Sequence, residues 1–267
     1  MKKYILSFLP LVFVFLSAFV MVGDDYRTLK YNKFELGENM KYICHYGFID
    51  AAEATISVDK QLYAINNRNC YKTTILGKTK GIFRAGMKVD DLWQSYIDCQ
   101  AVIPHRFYRN IKENKYRKVE TVFFDQIGGK TIVKSVTNQN PEKQEFFTTS
   151  QNCQDMVSGY FYLRTIDYGS LAKGSIITIP GFFENESYSF KVRYLGKEKI
   201  KTRVGHFTAI VLQPSMPEND LFDGKDAIKC WISDDTYRVP LKVRAEMKIG
   251  AIELDITSYQ NSKVHWK

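Results

Sequence analysis

The segment Trp231-Ile-Ser233-Asp234-Asp235-x-x-Arg238-x-Pro240 sets two adjacent carboxylates close behind a tryptophan. Such a pair could serve as acid and base on a glycosidic bond, with the indole stacked on a sugar ring. That chemistry needs carboxyls ~5 Å or ~6.5–9.5 Å apart on rigid supports. Neighbouring turn residues tend to splay, and Asp favours turns because its carboxylate accepts from nearby backbone N–H groups. Asp234 and Asp235 are therefore read as a hairpin tip between strands over 229–233 and 237–249. Asp90-Asp91 is read in the same way. Asp98 stands apart, because it lies among apolar residues in Trp93-Gln-Ser-Tyr96-Ile-Asp98. It is either a ligand-facing acid or a structural carboxylate satisfied by Arg84 or Arg106.

Other chemistry has little local support. His45, His105, His206 and His265 are isolated from one another, so no short metal-ligating motif exists. There is no G-x-S-x-G elbow and no Gly-rich phosphate loop. The cysteines at 44, 70, 99, 153 and 230 are odd in number and too dispersed for a redox or metal motif. An exported chain permits disulfides, but buried free thiols are at least as well favoured, and no pairing is assigned. The net charge is +9, yet the lysines are scattered. A solvated surface is the favoured reading, with contact to anionic lipid or acidic glycan as the alternative. Nothing resembles a nucleic-acid footprint.

The elements that must position these residues are mostly strands. Met-Lys-Lys followed by an apolar run to Val22 reads as a signal peptide over 1–23. An uncleaved anchor is the competing reading, as the run approaches the ~20 residues of a spanning helix. No cysteine follows the run closely, so no lipid-modified cysteine is expected. The rest, 24–267, reads as a single β-rich domain. Val239, Leu241, Val243, Ala245, Met247 and Ile249 alternate with mostly charged residues, which predicts one long two-faced strand. Tyr188–Tyr194, Ala52–Val58 and Met40–Phe48 alternate similarly, and Gly128-Gly129, Gly196, Gly205 and Gly250 punctuate a meander of hairpins. One wet and one dry face imply antiparallel pairing.

Met156, Val157, Tyr160, Phe161 and Leu163 recur at helical spacing, with Asn152 as candidate cap and Gly169 beyond the end. The span Leu92–Ile97 also fits a helix and is left open. The expected fold is mainly β: a large curved antiparallel sheet, a half-barrel or open barrel, packed with one main helix around 153–168.

Five passages, in order, carry a resemblance. They are Phe34-Glu-Leu-Gly37-Glu38-Asn-Met-Lys-Tyr42; Asp91-x-x-x-Ser95-Tyr-Ile-Asp98; Asp155-Met-Val-Ser158-x-x-x-x-Leu163-Arg164; Gly205-His-Phe207; and the Trp231–Pro240 segment quoted above. Over about residues 34–259 the chain resembles the bacterial exported family catalogued as domain of unknown function 3108. The resemblance implies an envelope protein with a signal peptide and a β-rich fold. It brings no activity and no catalytic residues.

Two functions compete, with an envelope scaffold as a third. One is a non-enzymatic carrier, in which a helix lies across a half-barrel that holds an amphipathic, lipid-like ligand. That comparison is one of fold alone. The other is an enzyme acting on glycan or peptidoglycan through Asp98, Asp234 or Asp235. The carrier is favoured. The residues nominated to face a ligand are Trp93, Tyr96, Asp98, Tyr160, Phe161, Arg164 and Trp231. No catalytic residue, metal ligand or cofactor is nominated. Expected partners are a lipid or glycan of the envelope, with membrane contact only peripheral and no nucleic acid. The 18 phenylalanines, 17 tyrosines and three tryptophans could line a cavity. An ordinary packed core is the stronger reading of them.

Overall fold

The structure is a computed structural model that describes residues 26–30, 34–215 and 223–267. The expected signal peptide lies outside these residues. Eight strands come before the main helix: β1 (Asn39–Tyr46), β2 (Ile49–Ile65), β3 (Arg68–Thr79), β4 (Asp90–Asp98), β5 (Pro104–Glu113), β6 (Tyr116–Asp125), β7 (Lys130–Thr137) and β8 (Lys143–Thr148). A short helix, α1 (Gly81–Gly86), joins β3 to β4, and the main helix is α2 (Met156–Leu163). A 3-10 turn at Tyr168–Ser170 follows it. Then come β9 (Ile176–Phe183), β10 (Glu186–Thr202), β11 (Gly205–Pro214), β12 (Ile228–Ser233), β13 (Pro240–Glu246), β14 (Ala251–Gln260) and the short β15 (His265–Trp266).

All the strands form one antiparallel sheet in the order β8-β7-β6-β5-β4-β3-β2-β1-β14-β13-β12-β11-β10-β9, with β15 beside β14. Sequential hairpins explain every junction on this path except β1–β14, where the two halves of the chain meet. Turn chemistry sets the hairpins. Asn66 and Asn67 both have positive φ between β2 and β3, as a two-residue primed turn requires. The outer strands β8 and β9 do not pair, so the barrel is open along one seam. Side chains close that seam: the Phe147 and Phe182 rings lie 5.3 Å apart, and Asn185 donates to Glu145 at 3.1 Å. Gln154, just ahead of α2, bonds the backbone of Pro180 and Phe182 in β9.

Several local expectations are corrected. Gly196 does not end a strand. It takes φ +100 at a bulge inside the 17-residue β10, where pairing with β11 shifts register. A bulge bends a strand without stopping it. The strand expected over 239–249 is seven residues long, because Met247 bonds back to Gly250 and turns the chain. Phe48, expected on the dry face with Met40 and Tyr42, sits in the β1–β2 turn and is fully exposed. Leu92–Ile97 is strand, with Ser95 and Ile97 buried. The helix cap is Asp155 rather than Asn152. The Asp155 carboxylate accepts from the N–H groups of Val157 and Ser158, and Ser158 Oγ accepts from the Asp155 N–H, completing a capping box.

Three clusters form the interior. Val157 and Phe161 of α2 pack with Phe34, Ile97, Phe107, Val122, Phe124 and Val133. Met40, Tyr42, Trp231, Leu241, Ile256 and Tyr259 form a second cluster. Tyr168, Val192, Tyr194, Ile210 and Leu212 form a third. Ala209 and Val211 bury into the second while Ile210 and Leu212 bury into the third, so β11 is covered on both faces. Phe161, fully buried against Phe34, is the main plug of the first cluster. Phe161→Ala is expected to lower the unfolding free energy by about 3–5 kcal/mol. Chemical denaturation reads this as a lower midpoint.

Candidate functional site

The residues nominated from sequence do not share one site: Trp93, Tyr160 and Phe161 pack in the first cluster with Arg164 over Phe161, while Tyr96, Asp98 and Trp231 lie elsewhere. Tyr160, Phe161 and Arg164 come from α2 and its C-terminal cap. Arg164 has no exposed surface. Its guanidinium donates twice to Glu38, at 2.7 and 2.8 Å, and to the Tyr237 carbonyl at 2.8 Å. Tyr259 donates to the same Glu38 carboxylate at 2.9 Å. Phe34 and Phe161 present ring faces to the cation. Burial works to lower the Arg164 pKa, but Glu38 overcomes it, so the guanidinium stays charged. Tyr160 stands beside Met40, its hydroxyl 3.8 Å from the sulfur. This network joins four distant segments and leaves Glu38 no room for a ligand.

Asp98 is a structural carboxylate, but neither expected arginine holds it. Arg84 pairs with Asp90, and Arg106 lies over the Tyr96 ring at 3.9 Å. Asp98 is instead held by Arg68 at 2.6 Å, by His105 at 3.3 Å, and by the N–H groups of Gln100 and Ala101. Burial works to raise its pKa, but His105, Arg68 and the two N–H groups outweigh it and hold it well below the carboxylate range. Tyr96 points outward, where it lines a surface hollow with Arg106, Tyr108 and Phe123.

Trp93 faces inward and stacks on Phe183 at 5.9 Å. Beside it, with Arg109 5.9 Å from its ring, is a charged cluster that no sequence motif marks. Arg109 is buried in β5, its Nη1 2.6 Å from Glu184 and its Nε 2.7 Å from Glu120. Lys118 bridges the same two acids, at 2.8 Å from Glu120 and 3.0 Å from Glu184. Glu184 sits at the β9–β10 tip in the left-handed region, an unusual place for its type. Partial burial works to raise its pKa, yet Arg109 and Lys118 bring it down to about 2. One signal was legible: Arg109 shares strand parity with Phe107 and Ile111, which makes it a charge on an apolar face.

Asp234 pairs with Lys197 at 2.6 Å. Asp235 accepts from Ser233 Oγ and from the N–H groups of Tyr237 and Arg238, all within 2.9 Å. Both acids sit at the hairpin tip. Trp231 donates its indole N–H to Glu198 at 2.5 Å. It walls two adjoining hollows of about 320 and 400 Å³, whose rims mix Lys173, Lys197, Lys229 and Arg244 with Glu198, Asp226 and Glu246. Five hollows along the described surface span about 310 to 400 Å³, and none of these five is lined by α2. The place where the carrier reading put a cavity is occupied by helix side chains.

His45, Glu253 and Asp255 bring ligand-type atoms within 4.8 Å of one another. Lys242 and Arg244 already pair with Glu253, and Lys242 also reaches Asp255 at 3.5 Å. A cation there would have to displace them. The five cysteines are unbridged. Burial pushes Cys99 up to about 11 and Cys70, Cys153 and Cys230 up to about 12, which leaves little thiolate for nucleophilic attack.

These geometries set three expectations for stability. Removing one partner of a buried pair strands the other charge, so Glu38→Gln is expected to cost about 3–5 kcal/mol. The double change Glu38→Leu with Arg164→Met should cost less than Arg164→Met and Glu38→Leu measured separately and added, as read by denaturant midpoints. Burial pushes Asp155 up to about 6, against the opposing bonds from Ser95 and the Ser158 and Val157 N–H groups. Its folded-state pKa thus exceeds the unfolded ~3.9. Between these values the unfolded chain is ionised while the folded one keeps its proton, so stability falls as pH rises, by about 3 kcal/mol in all. Asp155→Asn keeps the cap oxygen and removes this slope. The variant should gain on wild type between pH 4 and pH 7 in urea unfolding.

Comparison with solved structures places the fold among barrel-like sheets. A beta-barrel-like protein of domain of unknown function DUF1849 from Brucella abortus aligns with a TM-score of 0.52 at 9% identity, covering 88% of this chain and 98% of its own. A protein with a YmcC-like fold from Bacteroides fragilis aligns with a TM-score of 0.38 at 8% identity, over 88% of this chain and all of its own. No curated protein sequence matches. The sequence model of one family, described as "Protein of unknown function (DUF3108)", matches residues 41–257. That match spans most of the open barrel and the helix that fills it, and the chain belongs to this family.

Proposed function

We propose that this is an exported, non-catalytic binding protein of the bacterial envelope, whose amphipathic ligand lies in the open grooves flanking Trp231 rather than inside the barrel. The observation that carries the reading is the Trp231 indole, set between two hollows whose rims carry Lys173, Lys197, Lys229 and Arg244 alongside Glu198, Asp226 and Glu246. Leu195, Val211 and Ala227 supply apolar wall beside it. An apolar floor with a few polar groups placed on it suits one flexible tail and one anionic head. The filled interior argues against an enclosed acyl cavity. The carboxylates that an enzyme reading would use are committed to arginine, lysine and backbone partners. Export rests on the leader-like residues 1–23 and on the family resemblance. Among the described residues, no helix is long and apolar enough to cross a membrane.

The first test is native mass spectrometry of the protein taken gently from its own envelope, followed by solvent extraction. An adduct of defined mass that extracts into organic solvent is expected. The second is tryptophan fluorescence in a background with Trp93 and Trp266 replaced by Phe, titrated with a single-chain anionic amphiphile. A saturable change is expected, and Lys197→Glu with Lys229→Glu should weaken it about tenfold. A clean apo mass together with no saturable signal would overturn the reading.

A further inference from the structure

We infer that one end of the barrel is a docking surface for an anionic lipid bilayer. Three loops that are distant in sequence meet there: the β1–β2 turn, α1, and the β13–β14 turn. Tyr46 ties them together. Its ring lies 6.5 Å from Phe83 of α1, and its hydroxyl donates to the Ile249 carbonyl at 2.9 Å. The Lys80 N–H bonds Ala51 at 2.9 Å, holding α1 against the start of β2.

These loops expose large apolar side chains that no core requires. Phe48 is 107% exposed, Ile249 81%, Ile82 73%, Met87 52% and Ile49 51%. No residue of α1 is buried. Scattered surface hydrophobes need no explanation, but five on adjoining loop tips form a patch that does.

The charge around the patch selects the partner. Lys78, Lys80, Arg84, Lys88, Arg203 and Lys248 surround it. Of the acids among them, Asp50 pairs with Arg203, Glu53 with Lys78 and Lys80, and Asp90 with Arg84, while Glu253 beside Phe48 pairs with Arg244. The excess is therefore positive, and it comes mostly from lysine. Lysine is depleted in protein–protein interfaces, whereas lysines beside inserted apolar side chains are the pattern of peripheral attachment to acidic headgroups. The apolar groups stand on separate tips and do not line a groove for a peptide. Arg244 lines both the hollow beside Phe48 and one groove beside Trp231, so docking this end brings that groove close to the headgroups. The docking surface stands without the groove being a binding site.

The test is co-sedimentation of the purified full-length mature protein with vesicles of phosphatidylglycerol and phosphatidylethanolamine, against phosphatidylcholine vesicles. Wild type is expected to sediment with the anionic vesicles and to be released by raised salt. Phe48→Ser with Ile249→Ser should lower the partition coefficient about tenfold, as should Lys80→Glu with Lys88→Glu. Phe146→Ser, an exposed phenylalanine on β8 away from this end, should bind as wild type. Melting curves should be unchanged, since Phe48, Ile249, Phe146 and Lys88 are exposed and Lys80 is half-exposed at the surface. Wild type left in the supernatant would overturn the proposal. Equal binding to phosphatidylcholine would do the same, and so would an equal loss in Phe146→Ser.

Discussion

A guanidinium with no solvent contact sets the terms for this fold. Arg164 ends the main helix, Glu38 precedes the first strand, Tyr259 lies near the end of β14, and Tyr237 belongs to the β12–β13 hairpin. Each buried ion costs several kcal/mol to desolvate, and only good geometry with further hydrogen bonds offsets that cost. The bidentate pair, the tyrosine hydroxyl and the carbonyl together supply it. The helix is thereby held across the junction where β1 meets β14, the one neighbour pair in the main strand path that no hairpin makes. If the helix sat elsewhere, both charges would be left without partners.

Where the helix lies determines what the barrel can contain. The sheet does not close through backbone pairing, so the chain between β8 and β9 must fill the gap. Phe161 and Val157 plug the first cluster, and Tyr168 anchors the third. The seam is then held by rings and by the clasp of Glu184 on Arg109 and Lys118. Val157, Phe161 and Tyr168 thus fill interior space that an empty half-barrel would leave open. The grooves beside Trp231 and the loop end carrying Phe48 are the two outer surfaces for which binding roles are proposed, and Arg244 touches hollows belonging to both.

The same packing shifts the pKa values of the acids and thiols. Asp98 and Glu184 are held ionised by cations, Asp155 is spent on the helix cap, and burial raises the thiols. Each of these acids has a structural partner. The opening pair, Asp234 and Asp235, answers to a lysine and to the backbone of its own turn.

Much of the architecture was legible along the chain, because period-two alternation and turn residues are local properties. The meander and the antiparallel pairing follow from them, and the aromatic helix follows from its own helical spacing. Local signals also erred where one residue type serves two purposes. Gly196 could mark a turn or a bulge, and only the long partner strand β11 decides. Asn152 and Asp155 could each cap a helix, and the Ser158 hydroxyl decides. The site was less legible. Nothing near Asp98 names Arg68 or His105, and nothing near Arg109 names Glu184, because these partners are brought together by sheet register and by closure of the seam. The sequence by itself determined the strands, the helix and the excess of positive charge, all of which depend on near neighbours. Only the tertiary structure decided which charges are buried and paired, whether the hollow is filled, and which loops share an end, because each depends on contacts between residues far apart in the chain.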